Sequence, residues 1–233
     1  MSLWLVTGEP SRPSVSKPQG RGLFRRESLK RLAIVGAGGH GKVVAETAEF
    51  CGWQHIEFFD DNWPARTANS HWAITGDISL LLRRMAEFDG VVVAIGSNSV
   101  RHSKSIELEN GGARLTTLVH PSATVSPRAR IGAGSVVFAG VVVNVDATVG
   151  QGAILNTGCS IDHDCHLESF VHISPGARLA GGVAVGDLSW VGIGATVIQS
   201  VRIGKKVTVG AGAVVVGEVA DLLTVVGVPA KAL

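Results

Sequence analysis

Residues 143–167 read VNVDATVGQGAILNTGCSIDHDCHL and place an aliphatic residue at every sixth position. The same register runs without insertion from Val119 to Val215, where all seventeen positions are Val, Ile or Leu. An α-helix repeats about every 3.6 residues and cannot keep a period of six on one face. The period therefore predicts a triangular solenoid, in which a six-residue step is one short strand and one corner, and three steps complete a coil. Another β-solenoid without chemistry is the alternative.

The bulk composition agrees with a repetitive β architecture and excludes several function classes. The chain has 233 residues, 30 of them Gly, and no Tyr. A net charge of +2 gives no reason to expect nucleic acid or a membrane surface as a partner. The longest apolar run, 136–143, is too short to span a bilayer. Three cysteines do not form a disulfide framework, which favours a reducing, cytoplasmic compartment.

The chain divides into four predicted segments. Residues 1–30 carry scattered Pro, Ser and Arg and are interpreted as a flexible N-terminal tail without the features of a signal peptide. An α/β half-Rossmann domain is predicted at 31–118, a β-helix at 119–219 and a C-terminal tail at 220–233. The elements predicted in the α/β domain are strands at 31–36, 56–59, 91–95 and 114–119 and helices at 42–51, 78–88 and 99–110.

A glycine loop follows the first predicted strand. Gly36, Gly38 and Gly41 fit the G-x-G-x-x-G fingerprint between a strand and a helix, and Asp60 and Asp61 follow about twenty residues later, where a ribose-binding acid belongs. The pattern alone would indicate NAD, but the 88 residues of 31–118 suffice for only one mononucleotide-binding half. A loop at a helix N-terminus suits any pyrophosphate, including that of a UDP-sugar. A purely structural tight turn is the alternative.

Four motifs taken together identify a family more specifically than either half of the chain does. They are AIVGAGGHGKVVAE (33–46), DD (60–61), AIGSN (94–98) and the six-residue repeat of the triangular solenoid, called the prism below. The combination resembles the sialic-acid O-acetyltransferase family and, within it, the bacterial UDP-4-amino-sugar N-acetyltransferases. The segment NTGCSIDHDCHLESFVHISPGARLAGG (156–182) is similar to the catalytic stretch of that group, and the likeness extends from about residue 31 to GVPAK (227–231).

The resemblance implies a left-handed parallel β-helix, a homotrimer with active sites between neighbouring prisms, and acetyl-CoA as co-substrate without a required metal. It implies N-acetylation of the 4-amino group of a UDP-linked sugar in bacillosamine-type glycan biosynthesis or protein glycosylation. His163 matches the general base, and Asp164 the acid that raises its basicity, although family members often have Glu there. The matched acetyl-CoA contacts are His172, Gly181, Ile193 and Ala211. The matched nucleotide-sugar contacts are Gly38, Gly39, His40, Asp60, Asp61 and Gly96.

The residues themselves support this interpretation in part. His163, His166 and His172 lie within ten residues, and neither His163 nor His172 occupies an inward aliphatic position, so both can project from the prism. A carboxylate neighbour raises the basicity of a histidine toward a useful value near neutral pH. Exposed loop histidines are one alternative. Zinc bound by these three histidines and Cys165 is another, but Cys165 falls in the column of small residues predicted to point inward.

Three further expectations follow. Cys159 and Cys165 share that inward column and are interpreted as packing residues rather than nucleophiles. His120 begins the prism and is interpreted as structural, or at most a substrate contact. The predicted mechanism is direct acetyl transfer in a ternary complex. O-acetylation of sialic acid or another sugar, and a non-catalytic nucleotide- or NAD-sensing scaffold, are the alternative functions.

Overall fold

A computed structural model describes residues 30–233, so the tail predicted at 1–30 lies, apart from Lys30, outside the described residues. The first part of the described chain is a sheet with helices. Its elements are β1 (Arg31–Val35), α1 (Gly39–Phe50), β2 (His55–Phe59), β3 (Ala68–Asn69), β4 (Trp72–Gly76), α2 (Ile78–Arg84), a 3-10 turn (Met85–Glu87), β5 (Gly90–Val93) and α3 (Asn98–Asn110).

The strand order β3-β4-β2-β1-β5 places the first strand between two later ones. β1 pairs in parallel with β2 on one side and with β5 on the other. The strand order therefore reverses at β1. In sheets of this kind, ligands bind in the crevice at the carboxyl ends of the strands where the order reverses. The loops after β1 and β5, which contain the glycine fingerprint and Gly96, meet at this crevice.

Several predicted bounds in this part were wrong. β3 and β4 form a short antiparallel hairpin that was not predicted, because β3 has only two residues and lies in the polar, turn-rich stretch 62–71. Of the strand predicted at 114–119 only Leu118–Val119 is a strand, and it belongs to the prism. Helix α1 begins three residues before its predicted start, at Gly39, because the glycine loop closes directly into the helix. The helix predicted at 78–88 ends at Arg84 and continues as the 3-10 turn.

The remaining strands form the three faces of a triangular β-helix, as predicted, and the strands within each face are parallel except for the last strand of the chain. Neighbouring strands within a face are usually eighteen residues apart, as in the pair Ser160↔Arg178. Face 1 contains β6 (Leu118–Val119), β9 (Val136–Val137), β12 (Ile154–Leu155), β15 (His172–Ile173), β18 (Trp190–Val191), β21 (Thr208–Val209), β23 (Thr224–Val226) and the antiparallel β24 (Lys231–Ala232). Face 2 contains β7 (Thr124–Val125), β10 (Val142–Val143), β13 (Ser160–Ile161), β16 (Arg178–Leu179), β19 (Thr196–Val197) and β22 (Val214–Val215). Face 3 contains β8 (Arg130–Ile131), β11 (Thr148–Val149), β14 (His166–Leu167), β17 (Ala184–Val185) and β20 (Arg202–Ile203).

The aliphatic column of the repeat fills the interior of the prism. From Val137 to Val215 every inward aliphatic residue is at most 4% exposed. Cys159 and Cys165 are buried among them, which confirms their packing role, and burial raises the pKa of Cys159 to about 12. A thiol that stays protonated at neutral pH is not a nucleophile.

The outward side of face 1 changes character along the prism. In the first three coils it presents Leu118, Val136 and Ile154, which pack in one buried cluster with Leu32 and Ile34 of β1. The next three coils present His172, Trp190 and Thr208 at the same position. The N-terminal sheet and helices therefore cover the start of face 1 and leave its continuation open.

No helix within residues 30–233 is long and apolar enough to cross a membrane.

The inward register predicts an asymmetry between neighbouring residues of one strand. Leu179→Ala should lower the free energy of unfolding by about 2–5 kcal/mol, because it leaves a cavity in the stacked column. Arg178→Ala, on the exposed side of the same strand, should change it by at most about 0.5 kcal/mol. Denaturant unfolding of both variants measures the difference, and equal losses would contradict the register.

Candidate functional site

The crevice at the carboxyl ends of β1 and β5 is a cavity of about 360 Å³. All six residues predicted to contact the nucleotide-sugar line it. They are Gly38, Gly39, His40, Asp60, Asp61 and Gly96. The wall also contains residues that were not predicted as contacts, among them Asn62, Ile78 and Lys104.

The glycine loop at this crevice is shaped by close backbone approaches. Gly36 has a φ of +103°, and a Cβ on Gly41 would collide with the Gly36 carbonyl oxygen. These two positions therefore require glycine for the turn itself. A Cβ at Gly38, Gly39 or Gly96 would meet no atom within 4 Å, so these three glycines face open space.

The two acids after β2 have different tasks. Asp60 accepts hydrogen bonds from the Ala37 amide (2.7 Å) and from the backbone and side-chain nitrogens of Asn62 (3.0 and 2.8 Å). Burial acts to raise the pKa of Asp60, but these hydrogen bonds outweigh it and hold the pKa below its ordinary value. Asp60 thus ties the glycine loop to β2. Asp61 is exposed and lines the same cavity, so its carboxylate is available to a ligand there.

Two helices begin beside the cavity without a side-chain cap. α1 follows Gly38 and α3 follows Ser97; neither N-terminus has a side-chain cap, and neither first turn contains an acid. Helix N-termini of this kind attract anions through their N–H groups and the helix dipole. Lys104 adds a positive charge to the wall, although its Nζ also contacts Glu107 at 3.2 Å. The cavity is suited to a diphosphate.

His163 lies at the corner between faces 2 and 3, and its side chain is 57% exposed. Its Nδ1 is 2.7 Å from an Asp164 oxygen, and its backbone N–H donates to Asp162, which also accepts from Asn144. The hydrogen bond to Asp164, followed by the charge of Asp162, raises the pKa of His163. With Nδ1–H donated to Asp164, Nε2 is the proton-accepting nitrogen of the ring, which suits a general base.

Gly181 lies next to this histidine, one coil further along the prism. A Cβ at Gly181 would come within 2.5 Å of Cε1 and Nε2 of His163. Glycine at this position therefore leaves the space that the imidazole occupies.

A second cavity, of about 380 Å³, lies on the open part of face 1 and its corner with face 2. It contains three of the four predicted acetyl-CoA contacts, His172, Ile193 and Ala211. Trp190 and Ile193 are exposed apolar side chains in this wall. An elongated chain of methylene and amide groups, such as pantetheine, fits a surface of this kind. Trp190 was missed by sequence reasoning, although it occupies the same outward column as His172.

His172 projects outward, as predicted, but it is only 8% exposed. Trp190 stacks on it with ring planes 4° apart, and the Asn156 amide lies 3.2 Å from its Nε2. Its Nδ1 is buried without a partner among the described residues. Burial, assisted by the charge of Arg101, lowers the pKa of His172 to about 3. His172 is therefore a neutral imidazole and not a second base.

His40 is a similar neutral group in the cavity at the carboxyl ends of β1 and β5. It packs edge-on against Phe138 of the prism, and burial together with Arg101 lowers its pKa to about 4. His120 caps the first corner of the prism by accepting from the Ser122 amide (3.0 Å), and it packs against Phe50.

One chain does not bring all the predicted residues together. His163, Asp164 and Gly181 lie at the corner between faces 2 and 3, whereas the two cavities lie on the side of face 1. His163 and His172 are nine positions apart, half of an eighteen-residue coil, so they lie on opposite sides of the triangle. Within residues 30–233 no three His, Cys, Asp or Glu side chains converge as a metal site, and the Cys165 thiol donates to the Ala180 carbonyl at 3.2 Å.

Comparisons with known proteins cover both parts of the chain. Residues 31–108 match the PglD N-terminal domain family. The chain is 43% identical to the acetyltransferase domain of PglB from Neisseria gonorrhoeae FA1090, solved in complex with acetyl coenzyme A, with a TM-score of 0.84 over 88% of this chain and 100% of that chain. It is 40% identical to a variant of perosamine N-acetyltransferase from Caulobacter crescentus, solved with CoA and GDP-perosamine, with a TM-score of 0.84 over 88% of this chain and 98% of that chain.

A curated relative from Bacillus subtilis (strain 168), UDP-N-acetylbacillosamine N-acetyltransferase, is 38% identical over 111 residues. The match covers 46% of this chain and 51% of the relative, so it spans about half the length of that protein.

The contact with Asp164 predicts a measurable change in His163. In Asp164→Asn the imidazole loses its charged partner, so the pKa of His163 should fall from its raised value. NMR titration of the imidazole protons measures the shift. Asp162→Asn is the matched control and should lower the pKa less, because Asp162 acts on the ring only through its charge. An unchanged titration in Asp164→Asn would show that the contact does not set the basicity of His163.

Proposed function

The chain belongs to the family of bacterial sugar N-acetyltransferases that includes the acetyltransferase domain of PglB and perosamine N-acetyltransferase, and we propose that it transfers an acetyl group from acetyl-CoA to a nucleotide-linked amino-sugar. The observation that carries the proposal is the exposed His163, which is hydrogen-bonded to Asp164 on a prism whose 43% identical relative was solved with acetyl coenzyme A. We assign His163 as the base and Asp164 as the residue that orients the imidazole and raises its pKa.

The reaction follows from these groups. The sugar amine, in its neutral form, attacks the thioester carbonyl carbon, and His163 Nε2 takes the proton that the nitrogen loses. The tetrahedral intermediate collapses, the C–S bond breaks, and the proton passes to the thiolate of coenzyme A. The products are the amide and free coenzyme A. Proton transfer by a positioned base contributes about 10²–10⁴-fold to such reactions.

The acceptor is assigned to a UDP-linked 4-amino-sugar of the bacillosamine type. The match to the PglD N-terminal domain family and the relative named UDP-N-acetylbacillosamine N-acetyltransferase support this choice. The two helix N-termini and Lys104 suit the diphosphate, and Asp61 suits the ribose. In this assignment 31–118 is the nucleotide-sugar domain and 119–219 the acetyltransferase domain. Cytoplasmic location fits the free thiols of Cys51, Cys159 and Cys165.

A homotrimer completes the site in this proposal. The cavity at the carboxyl ends of β1 and β5, proposed to bind the nucleotide, is called the nucleotide cavity below. His163 and Gly181 of one chain lie across the prism from His172, Ile193 and the nucleotide cavity of the same chain. A neighbouring prism must therefore present its corner between faces 2 and 3 to the open part of face 1. Acetyl-CoA then lies between two chains, which explains why its predicted contacts divide into two groups. Trp190 and Ile193 are large apolar side chains exposed on this surface, and this exposure supports a role in contacting acetyl-CoA or a neighbouring chain.

His163→Ala should reduce thiol release from acetyl-CoA by at least about 10²-fold, because the base is lost, while acetyl-CoA binding persists. The assay uses a panel of UDP- and GDP-linked 4-amino-sugars and free sialic acid as acceptors. His166→Ala, an exposed histidine of the next strand, is the matched control and should keep its activity. Near-normal turnover by His163→Ala would remove the histidine from the mechanism. Acetylation of sialic acid alone would favour the hydroxyl acceptor.

Mixing two inactive variants tests whether neighbouring chains share a site. His163→Ala lacks the base, and Ala211→Trp blocks the second cavity. When the two are co-expressed and purified as one assembly, some contacts pair an intact His163 corner with an intact cavity, so activity should return. The separately purified variants, mixed without exchange of chains, are the control. Persistent inactivity of a verified mixed assembly would place both halves of the site in one chain.

A further inference from the structure

Arg101 of α3 is a buried cation that the catalytic scheme above does not use. It is 1% exposed and is among the largest fully buried side chains. Its hydrogen-bond partners within residues 30–233 are all neutral, namely five backbone carbonyls and the side-chain amide oxygen of Asn98. Burying a guanidinium without a carboxylate is costly, and it is tolerated where its five N–H groups are satisfied. The side chain therefore has a specific task at this position.

The partners of Arg101 belong to two different parts of the molecule. On the prism, Nε donates to the Gly152 carbonyl at 2.7 Å, and one Nη donates to the Phe170 carbonyl at 2.9 Å. On the other side, the second Nη donates to the carbonyls of Ile95 and Gly96 at 3.0 and 3.2 Å. Ile95 and Gly96 line the nucleotide cavity. Arg101 thus joins the wall of that cavity directly to the prism.

The prism offers a regular row of acceptors for this contact. Gly152, Phe170 and Leu188 are eighteen residues apart and occupy the same corner of three successive coils, each with a positive φ. Their N–H groups take part in the ladder between coils. Asn98 extends the contact to the third coil, because its Nδ2 donates to the Leu188 and Ser189 carbonyls at 2.9 and 3.1 Å. The start of α3 is therefore fixed on three coils at once.

We propose that Arg101 is a positioning residue, which holds the Ile95–Gly96 wall of the nucleotide cavity at a fixed place on the prism so that a bound nucleotide-sugar lies in register with the acetyl donor on face 1. Asn98 assists it from the same turn of the helix. The inference rests on the proposed function for its link to turnover, but the fixed wall also governs nucleotide binding by itself.

Arg101→Lys tests the proposal without removing the charge. A lysine has three donors on one atom and cannot bind the loop and two coils together. The KM for the amino-sugar nucleotide should rise about tenfold or more, the scale expected when two hydrogen bonds to the loop are lost. The KM for acetyl-CoA should change much less, since the second cavity is built from prism residues alone. Asn98→Ala, at a half-exposed position, should shift the same KM in the same direction by a smaller factor, because Arg101 keeps its own hydrogen bonds to the loop.

Arg31→Gln is the matched control, because Arg31 bonds Glu57 and Glu87 at the opposite end of β1 and does not touch the cavity. It should lower Tm without raising the nucleotide KM. Calorimetric binding of UDP and GDP to each variant provides a second readout that needs no turnover. If the wild-type protein acetylates no amino-sugar, the proposed function fails, while the binding data still test the contact. Unchanged nucleotide affinity in folded Arg101→Lys and Asn98→Ala, or an equal loss in Arg31→Gln at the same Tm, would overturn the proposal.

Discussion

The eighteen-residue coil is the constraint on which the rest of the structure depends. Because each coil is closed by hydrogen bonds to the next, a residue's face is fixed by its place in the repeat. Residues eighteen apart stack, which sets Gly181 against His163 and Trp190 on His172. Residues nine apart lie on opposite sides, which separates His163 from His172. His163 and the second cavity, which are close in sequence, are thereby kept apart within one chain, and this separation is the reason for proposing a site shared between chains.

The same repeat explains how the N-terminal sheet and helices attach to the prism. The outward column of face 1 is apolar in the coils that they cover. In the coils beyond them, the column consists of His172, Trp190 and Thr208. The buried cluster that β1 shares with the prism contributes hydrophobic attachment, which is non-directional. Arg101 and Asn98 add direction, since hydrogen bonds to stacked carbonyls fix the rotation and height of α3 on the prism. In our proposal, these contacts set the position of the cavity at the carboxyl ends of β1 and β5.

Sequence reasoning reached those features that a strict period or a local motif determines. The prism, its inward register, the buried cysteines and the crevice after β1 follow from the repeat and the glycine loop. The hairpin β3–β4 carries no strong alternation and was missed. The burial of His172 depends on Trp190 one coil away, and the position of Arg101 depends on carbonyls 51 and 69 residues away. These are tertiary contacts without a local signal. The roles of the individual site residues came from family resemblance and remain proposals.

A structure of the protein with a nucleotide-linked 4-amino-sugar and a non-hydrolysable acetyl-CoA analogue tests the central claim most directly. If neighbouring chains share the site, the amine of a sugar bound at one chain's cavity lies within hydrogen-bond reach, about 2.6–3.2 Å, of Nε2 of His163 from a neighbouring chain. The analogue's pantetheine then contacts Ile193 of one chain and Gly181 of the other. A complex in which the amine meets His163 of its own chain, or meets no histidine at all, would contradict a site shared between chains.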